Sequence, residues 1–203
     1  MKLFYAAASP FVRMVWVTAL ELGIADRIER IDSGTTPMEA NAALAEANPV
    51  AKLPTLVTDD GDALYDSRVI CEYLIVEAGN ETMLPAKGRE HWSALRLLAL
   101  VNGILDAAVL RRYEAAMRPE EKQWEVWDEG QRLKVVRALD ELEREADQLG
   151  DGATLGAIAV ACALGYLDFR FGHENWREGR PKLAAWHDDW AKRPSMTATV
   201  PAG

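Results

Sequence analysis

The chain has 203 residues, of which 49% are hydrophobic, enough for one large domain or two small domains with their own cores. Its formal net charge of −9, from 23 basic and 32 acidic residues, argues against nucleic acid and against anionic membrane surfaces as partners. We see no uninterrupted apolar stretch of transmembrane length and no signal-peptide pattern. The two cysteines, Cys71 and Cys162, lie in apolar helical surroundings without a Cys-x-x-Cys motif. We therefore expect a reduced, cytoplasmic protein.

The first half of the chain alternates between strand-like and helix-like patterns. Short apolar runs bounded by turn residues fit strands, and apolar residues at helical spacing fit helices. The expected elements are strand 2–5, helix 9–23, strand 27–32, helix 36–47, strand 55–57, strand 63–65 and a helix that opens at 66–67. The first strand–helix–strand unit requires parallel pairing, and the later hairpin adds antiparallel strands. The order predicts a thioredoxin-like mixed sheet with helices on both faces.

Residues 48–71 form the most informative stretch of the sequence. Leu53-Pro54 leads into strand 55–57, and Asp66-Ser67 opens the following helix. A strand that begins after a proline can offer its backbone to an extended peptide. A helix N-terminus binds anions through its free N–H groups and its dipole. Together the two features suit a short peptide that carries a carboxylate.

These residues resemble the glutathione-binding half of the cytosolic glutathione transferases. In that family the proline is cis, and the residue before it pairs its backbone with the cysteinyl unit of glutathione. An acid–serine pair holds the γ-glutamyl end. The resemblance implies these roles for Leu53, Pro54, Asp66 and Ser67. The alternative is that Asp66 and Ser67 only cap a helix and that Pro54 is an ordinary trans proline.

Ser9 is the candidate catalytic residue. It lies at a strand-to-helix corner, and the run Ser-Pro-Phe-Val-Arg resembles bacterial members of the family whose Ser or Cys before a proline faces the glutathione sulfur. Thiolate is the nucleophile, so a hydroxyl that donates to the sulfur would stabilise the reactive form. Tyr5, at the end of the first strand, is the rival donor, since other branches of the family use a tyrosine there. The alternative for Ser9 is a simple helix cap.

The second half of the chain is almost entirely helical in pattern. Residues 79–88 read as a linker, because Gly, Asn and Pro interrupt the periodicity. The expected helices are 91–113, 119 to about 150, 154–171, and a last short helix from 181 that ends at Arg193-Pro194. We predict an α+β thioredoxin-like glutathione-binding domain (βαβαββα) over 1–78, a linker over 79–88, and an all-α helical-bundle domain over 89–203.

Thr154 is the expected N-cap of the apolar helix 154–171, which resembles the C-terminal helical domain of the same family. The family usually has an acid three residues after this cap, forming a capping box, whereas this chain has Ala157. We therefore expect Ala157→Asp to stabilise the helix.

The resemblance also implies a second-substrate site. The end of the first C-terminal helix lines that site in the family, so Arg111, Arg112 and Tyr113 are candidates for contact with an electrophile, and Phe11, close to Ser9 in the sequence, is a further candidate. The alternative for the three helical residues is a solvated helix end. Lone helical acids such as Asp106 and Asp168 are usually structural or surface residues. The three histidines are far apart and outside any metal-binding spacing, so we expect no metal.

The predicted function is that of a glutathione transferase, with glutathione as co-substrate and a small electrophile as the second substrate. The alternative is a non-catalytic or regulatory protein that keeps the fold and the binding site. The family pairs two subunits, and the chain carries three tryptophans on its long helical pair, which favours a homodimer. These tryptophans are Trp92, Trp124 and Trp127.

Overall fold

A computed structural model describes all residues from 1 to 203. Its sheet consists of β1 (Lys2–Tyr5), β2 (Glu29–Asp32), β3 (Thr55–Val57) and β4 (Ala63–Leu64). The strand order is β2-β1-β3-β4, with β1 and β2 parallel and the other two pairs antiparallel. The mixed sheet predicted from the sequence is therefore confirmed.

Eight α-helices complete the fold, three in the sheet domain and five after the linker. They are α1 (Pro10–Glu21), α2 (Ala42–Ala47), α3 (Ser67–Glu77), α4 (Gly88–Met117), α5 (Glu125–Glu145), α6 (Leu155–Phe171), α7 (Pro181–Trp190) and α8 (Pro194–Thr197). The predicted fold class, a thioredoxin-like α+β domain followed by a helical domain, is confirmed. Pro194, which we expected to end the last helix, instead opens the short α8.

The predicted start of α2 at Thr36-Pro37 is wrong. The Thr36 hydroxyl accepts hydrogen bonds from the backbone N–H groups of Met38, at 3.3 Å, and Glu39, at 3.0 Å, and so closes an isolated turn. The helix begins only at Ala42, where the Asn41 side chain accepts from Leu44 N–H at 3.0 Å. Each polar side chain offers the backbone a local alternative to a continuous helix.

The predicted start of α5 at Pro119 is also wrong. Residues 120–122 form a single 3₁₀ turn, and α5 begins after Trp124. The carboxylate of Glu114, near the end of α4, accepts a hydrogen bond from Trp124 N–H at 2.9 Å. A side chain from the preceding helix therefore satisfies a free N–H group at the start of α5.

α6 is the central helix of the second domain, and its start corrects one expectation. The Thr154 hydroxyl accepts from Ala157 N–H at 3.2 Å, which confirms the predicted cap. However, Thr154 N–H already donates to Gly152 C=O at 2.9 Å, and Ala157 is only 1% exposed. An acid at position 157 would gain no capping partner and would be buried, so the expected stabilisation by Ala157→Asp does not hold.

α4 and α6 pack against each other in parallel. A Cβ atom added to Gly156 would lie 2.7 Å from Leu97 Cδ2, and the Arg111 guanidinium lies 4.7 Å from the Phe171 ring centre. These two contacts fix the register along both helices. Gly88–Met117 and Leu155–Glu174 each contain an 18-residue window long and apolar enough to cross a membrane, although charged or polar residues interrupt both helices. The second window is 72% buried inside the molecule, as in a core helix.

α1 joins the two domains. Arg13, which is 7% exposed, donates to Thr199 Oγ1 at 3.2 Å and to the Met196 carbonyl at 3.1 Å. At the other end of α1, Glu21 accepts from Arg193 at 3.0 and 2.6 Å. The linker also bonds to the second domain, because the Met83 carbonyl accepts a hydrogen bond from Leu155 N–H, at the start of α6, at 2.9 Å.

Candidate functional site

The register of the sheet brings the predicted glutathione-binding residues to one edge. Phe4 of β1 lies opposite Thr55 of β3, and Leu56 lies opposite Leu64 of β4. The end of β1, the start of β3 and the end of β4 therefore share the same edge. Ser9 follows the end of β1, Leu53-Pro54 precedes the start of β3, and Asp66-Ser67 follows the end of β4. The strand register thus assembles residues that are up to 58 positions apart in the chain, from Ser9 to Ser67.

Leu53 and Pro54 form the central part of this edge. The Leu53–Pro54 peptide is cis, which confirms the prediction. The backbone N–H and C=O groups of Leu53 form no hydrogen bond within the protein, so both remain available to an extended ligand. Asn48, which is 1% exposed, stabilises the loop before β3. Its side chain donates to the Lys52 carbonyl at 3.2 Å and to Thr55 Oγ1 at 2.9 Å.

Asp66 and Ser67 start α3 on the same edge. The Asp66 carboxylate accepts from Arg68 N–H at 3.0 Å and forms an ion pair with the Arg68 guanidinium at 3.1 Å. Partial burial works to raise the pKa of Asp66, but these hydrogen bonds outweigh it and lower the pKa overall. The carboxylate side chain remains 53% exposed. Ser67 is buried, and its hydroxyl has no hydrogen-bond partner in the protein.

Ser9 is the N-cap of α1. Its hydroxyl oxygen accepts from Val12 N–H at 3.3 Å, and Pro10 occupies the first helical position. The hydroxyl proton is left free to donate. Tyr5, the rival donor, has its ring packed edge-on against Trp16 at 6.3 Å, with the Arg30 guanidinium 5.0 Å from the ring centre. The Tyr5 ring is therefore packed between α1 and β2.

Two charged residues at this site were missed from the sequence. Asp106 on α4 is exposed, but partial desolvation raises the pKa of its carboxyl, while Lys52 lowers this pKa and the like charge of Asp66 raises it further. Asp106 is therefore within electrostatic range of the loop before β3 and of the start of α3. In the sequence Asp106 looks like an ordinary helical acid, and Lys52 belongs to no motif that would identify it as a binding residue.

The candidate second-substrate residues fall into two groups. Arg111 is 7% exposed and is held by Asp128, at 3.1 Å, and by Glu174, at 2.6 Å. These two carboxylates occupy its guanidinium, so Arg111 has a structural role. This role replaces both the substrate contact and the solvated helix end that the sequence suggested. Arg112 and Tyr113 are half-buried and form no ion pair or side-chain hydrogen bond within the protein. Phe11 is half-buried in the first turn of α1 and packs against the core.

Comparison with known proteins identifies the two halves of the chain separately. The sequence model of the glutathione S-transferase N-terminal domain matches residues 8–76, and that of the C-terminal domain matches residues 107–189. An uncharacterised glutathione S-transferase-like protein of Escherichia coli, YibF, is 36% identical over 204 aligned residues. The alignment covers 99% of this chain and 98% of YibF.

Two solved structures from Pseudomonas fluorescens Pf-5 are also similar over the full length. One glutathione transferase family member with bound glutathione has a TM-score of 0.97 and 46% identity, covering 100% of this chain and 99% of the other. The second, with bound S-(propanoic acid)-glutathione, has a TM-score of 0.92 and 45% identity, with complete coverage of both chains.

Proposed function

Because the chain belongs to the glutathione S-transferase family, we propose that it binds glutathione and transfers the glutathione thiolate to a small electrophile. The observation that carries the proposal is the shared sheet edge. It combines the free backbone of Leu53, the ionised carboxylate of Asp66 and the free proton of Ser9. Glutathione offers matching groups: a peptide backbone, an ammonium and a thiol.

Each residue has a proposed role. The Leu53 backbone pairs with the cysteinyl unit after the cis Pro54, while Asp66 receives the γ-glutamyl ammonium and Ser67 donates to the γ-glutamyl carboxylate. Ser9 donates to the sulfur, which would make the protein a serine-type member of the family. The glutathione and the S-conjugate bound in the two similar structures support glutathione as the ligand of this fold.

The proposed reaction forms one carbon–sulfur bond. The thiol proton passes to solvent, and the thiolate electron pair attacks the electrophilic carbon. In a displacement, the leaving group departs with its bonding pair. In an addition to an activated double bond, the π pair moves to the neighbouring carbon, which then takes a proton from water. Arg112, Tyr113 and Phe11 are the proposed contacts of the electrophile.

Binding and turnover can be tested separately. Isothermal titration with glutathione measures binding, and a panel of an aryl chloride, an enal and an acrylate measures conjugation. We expect micromolar to millimolar affinity and turnover with at least one member of the panel. Glutathione binding without any turnover would support the non-catalytic alternative, and absence of binding would refute the proposal. Two buried reduced thiols, Cys71 and Cys162, fit our further proposal that the protein acts in the cytoplasm.

A further inference from the structure

A closed triangle of hydrogen bonds joins the loop before β3 to the strand itself. The Asn48 side-chain amide donates to the Lys52 carbonyl at 3.2 Å and to Thr55 Oγ1 at 2.9 Å. The Thr55 hydroxyl donates to the same Lys52 carbonyl at 3.0 Å. Asn48 is 1% exposed and Thr55 is fully buried. Both amide protons of Asn48 and the single hydroxyl proton of Thr55 are therefore used, in a place that water does not reach.

The rest of the loop is held as well. The N–H groups of Val50 and Ala51 donate to Asn48, at 3.1 Å to its side-chain oxygen and at 2.7 Å to its carbonyl. The Ala51 carbonyl accepts from the Thr35 hydroxyl at 3.2 Å. Ala51 has a φ of 48°, a left-handed conformation that persists without glycine only where surrounding contacts fix it. The bonds stop at Leu53, whose N–H and C=O groups have no partner within the protein.

The triangle sets the direction of the free Leu53 N–H group. This N–H and the Lys52 carbonyl belong to one peptide unit, which is trans. In a planar trans peptide the C=O and N–H bonds point in opposite directions. Because Asn48 and Thr55 hold the carbonyl towards the protein interior, the Leu53 N–H points away from it, towards the open edge of the sheet. Two buried side chains therefore fix the direction of a hydrogen-bond donor at the site.

We propose that Asn48 and Thr55 are positioning residues for the peptide ligand, because they hold the Leu53 N–H ready for a carbonyl of glutathione. A donor that is already fixed loses no further freedom when the ligand binds, whereas a mobile donor must be ordered at that moment. The inference rests on the proposed function and deepens it, since it concerns the pairing of Leu53 with the cysteinyl unit.

The place of Leu53 in the site determines which kinetic constant responds. Leu53 pairs with the backbone of the ligand, whereas Ser9 is proposed to act on the sulfur. A contact made equally in the bound substrate and in the transition state lowers KM without raising kcat. Loss of the triangle should therefore raise the KM for glutathione and leave kcat at saturating glutathione unchanged. The pKa of the bound thiol should also stay in place.

Thr55→Val is the main test, because valine has nearly the shape of threonine and favours strands, but cannot bond to Asn48 or Lys52. We expect glutathione to bind about tenfold more weakly to this variant in isothermal titration. Thr55→Ser, which keeps the hydroxyl, should restore most of the affinity. Equal affinity of the wild type and Thr55→Val would overturn the inference and leave the proposed function intact. A wild-type protein that does not bind glutathione would overturn both.

Thr58→Val is the matched control at the other end of β3. Thr58 is also buried, at 8% exposed, and its hydroxyl accepts one hydrogen bond from Asp62 N–H at 3.1 Å. This variant should lose a similar amount of stability in urea but bind glutathione as the wild type does. If both valine variants weaken glutathione alike, or if Thr55→Val lowers kcat at an unchanged KM, the triangle only stabilises the sheet and the inference is wrong.

The wild-type protein supplies a measurement that does not depend on a variant that folds. Nuclear magnetic relaxation of the ligand-free protein gives the order parameter of the Leu53 N–H bond. We expect a rigid value of about 0.85, as for backbone within a strand. A value below about 0.6 would show that the donor is mobile before binding and would overturn the inference. Asn48→Ala, which removes another corner of the triangle, should lower this order parameter and weaken glutathione at least as much as Thr55→Val.

Discussion

Ser9 caps α1 with its hydroxyl, and the proposed function gives the same hydroxyl a second role in stabilising a thiolate. Its oxygen accepts the Val12 N–H at 3.3 Å, and its proton is free for a second bond. The two roles do not compete, because one uses a lone pair and the other uses the proton. A negative sulfur placed at this corner would also benefit from the positive end of the α1 dipole.

Replacing Ser9 by Ala should raise the pKa of bound glutathione. A free thiol with a pKa of about 8.5 needs a downward shift of about two units, or roughly 2.7 kcal/mol, to be mainly thiolate at neutral pH. One hydroxyl bond to a charged acceptor supplies roughly 1.5–3 kcal/mol. We therefore expect Ser9→Ala to lose most of the shift and to slow turnover. Ultraviolet titration of thiolate absorbance in the glutathione complex measures it.

Tyr5→Phe is the matched control for that titration. Since the Tyr5 ring packs against Trp16 and Arg30, removing its hydroxyl should leave the thiolate midpoint in place. A shift in Tyr5→Phe but none in Ser9→Ala would transfer the role to Tyr5. No shift in either variant would leave Ser9 as a helix cap only.

Asp66→Asn should separate glutathione binding from folding. Asparagine caps helices as well as aspartate does, so the start of α3 should keep most of its stability. The charge that we assign to the γ-glutamyl ammonium is lost, at a cost of roughly 1.5–3 kcal/mol, or about ten- to a hundredfold in affinity. Calorimetric titration and denaturant midpoints measure the two effects. An unchanged dissociation constant for glutathione would remove Asp66 from the site.

The site residues differ in how well the sequence predicted them. Short local patterns were enough to propose Leu53-Pro54 and Asp66-Ser67 as binding residues, and the strand register places both pairs at the same end of the sheet. Lys52 and Asp106 were missed because their charges meet only when α4 packs near the loop before β3. The role given to Arg111 was wrong because its partner Glu174 lies 63 residues further along the chain.

At the scale of single elements, three helix starts with a local cap were predicted, whereas the local cap Asn41 of α2 was missed in favour of Thr36. The caps Ser9, Asp66 and Thr154 each bond to a backbone N–H two or three residues ahead, and a reader of the sequence can find them. The start of α5 depends instead on Glu114, ten residues earlier on another helix. Local patterns carry no information about such a partner.

The start of α6 offers a direct comparison of two capping changes. Thr154→Ala removes the bond to Ala157 N–H and should cost about 1 kcal/mol of stability. Ala157→Asp buries an acid that has no partner and should cost roughly 2–4 kcal/mol. Urea unfolding midpoints measure both. A gain in stability for Ala157→Asp would mean that position 157 reaches solvent or a cation.

At the scale of the whole molecule, the contact between Glu21 and Arg193 predicts a pH dependence. The hydrogen bond from Arg193 lowers the pKa of Glu21, with burial opposing it. A lowered pKa in the folded state gives stability that is full above the unfolded value of about 4.3 and is lost as pH falls through the folded value. Glu21→Gln should therefore lose stability at neutral pH and flatten the decline below about pH 5.

Urea unfolding over a pH series tests this expectation. Glu46→Gln, on the exposed side of α2 and without an ion pair, is the control and should follow the wild-type curve. A Glu21→Gln curve parallel to that of the wild type at acidic pH would show that Glu21 does not link the domains through its charge.

We also expect a homodimer formed through α3 and α4. Val76 on α3 is 69% exposed and Trp92 on α4 is 68% exposed, apolar surface that a partner subunit would cover. Trp124 is 64% exposed but follows the far end of α4, which is about 45 Å long, so it lies outside this face.

Light scattering should show a dimer at micromolar concentration. Trp92→Glu should shift the protein towards the monomer, while Trp124→Glu should not. A monomeric wild-type protein would refute the homodimer.

The sharing of α1 between the two domains limits how this protein can be divided for study. A fragment ending in the linker would leave the Arg13 guanidinium without Thr199 and Met196, and Glu21 without Arg193. The complementary fragment would lose the Met83 carbonyl at the first N–H of α6. Neither piece should fold alone, so a thioredoxin-like half produced by itself is expected to aggregate instead of binding glutathione. Engineering by domain exchange would have to carry α1 together with α6 and the 193–199 segment.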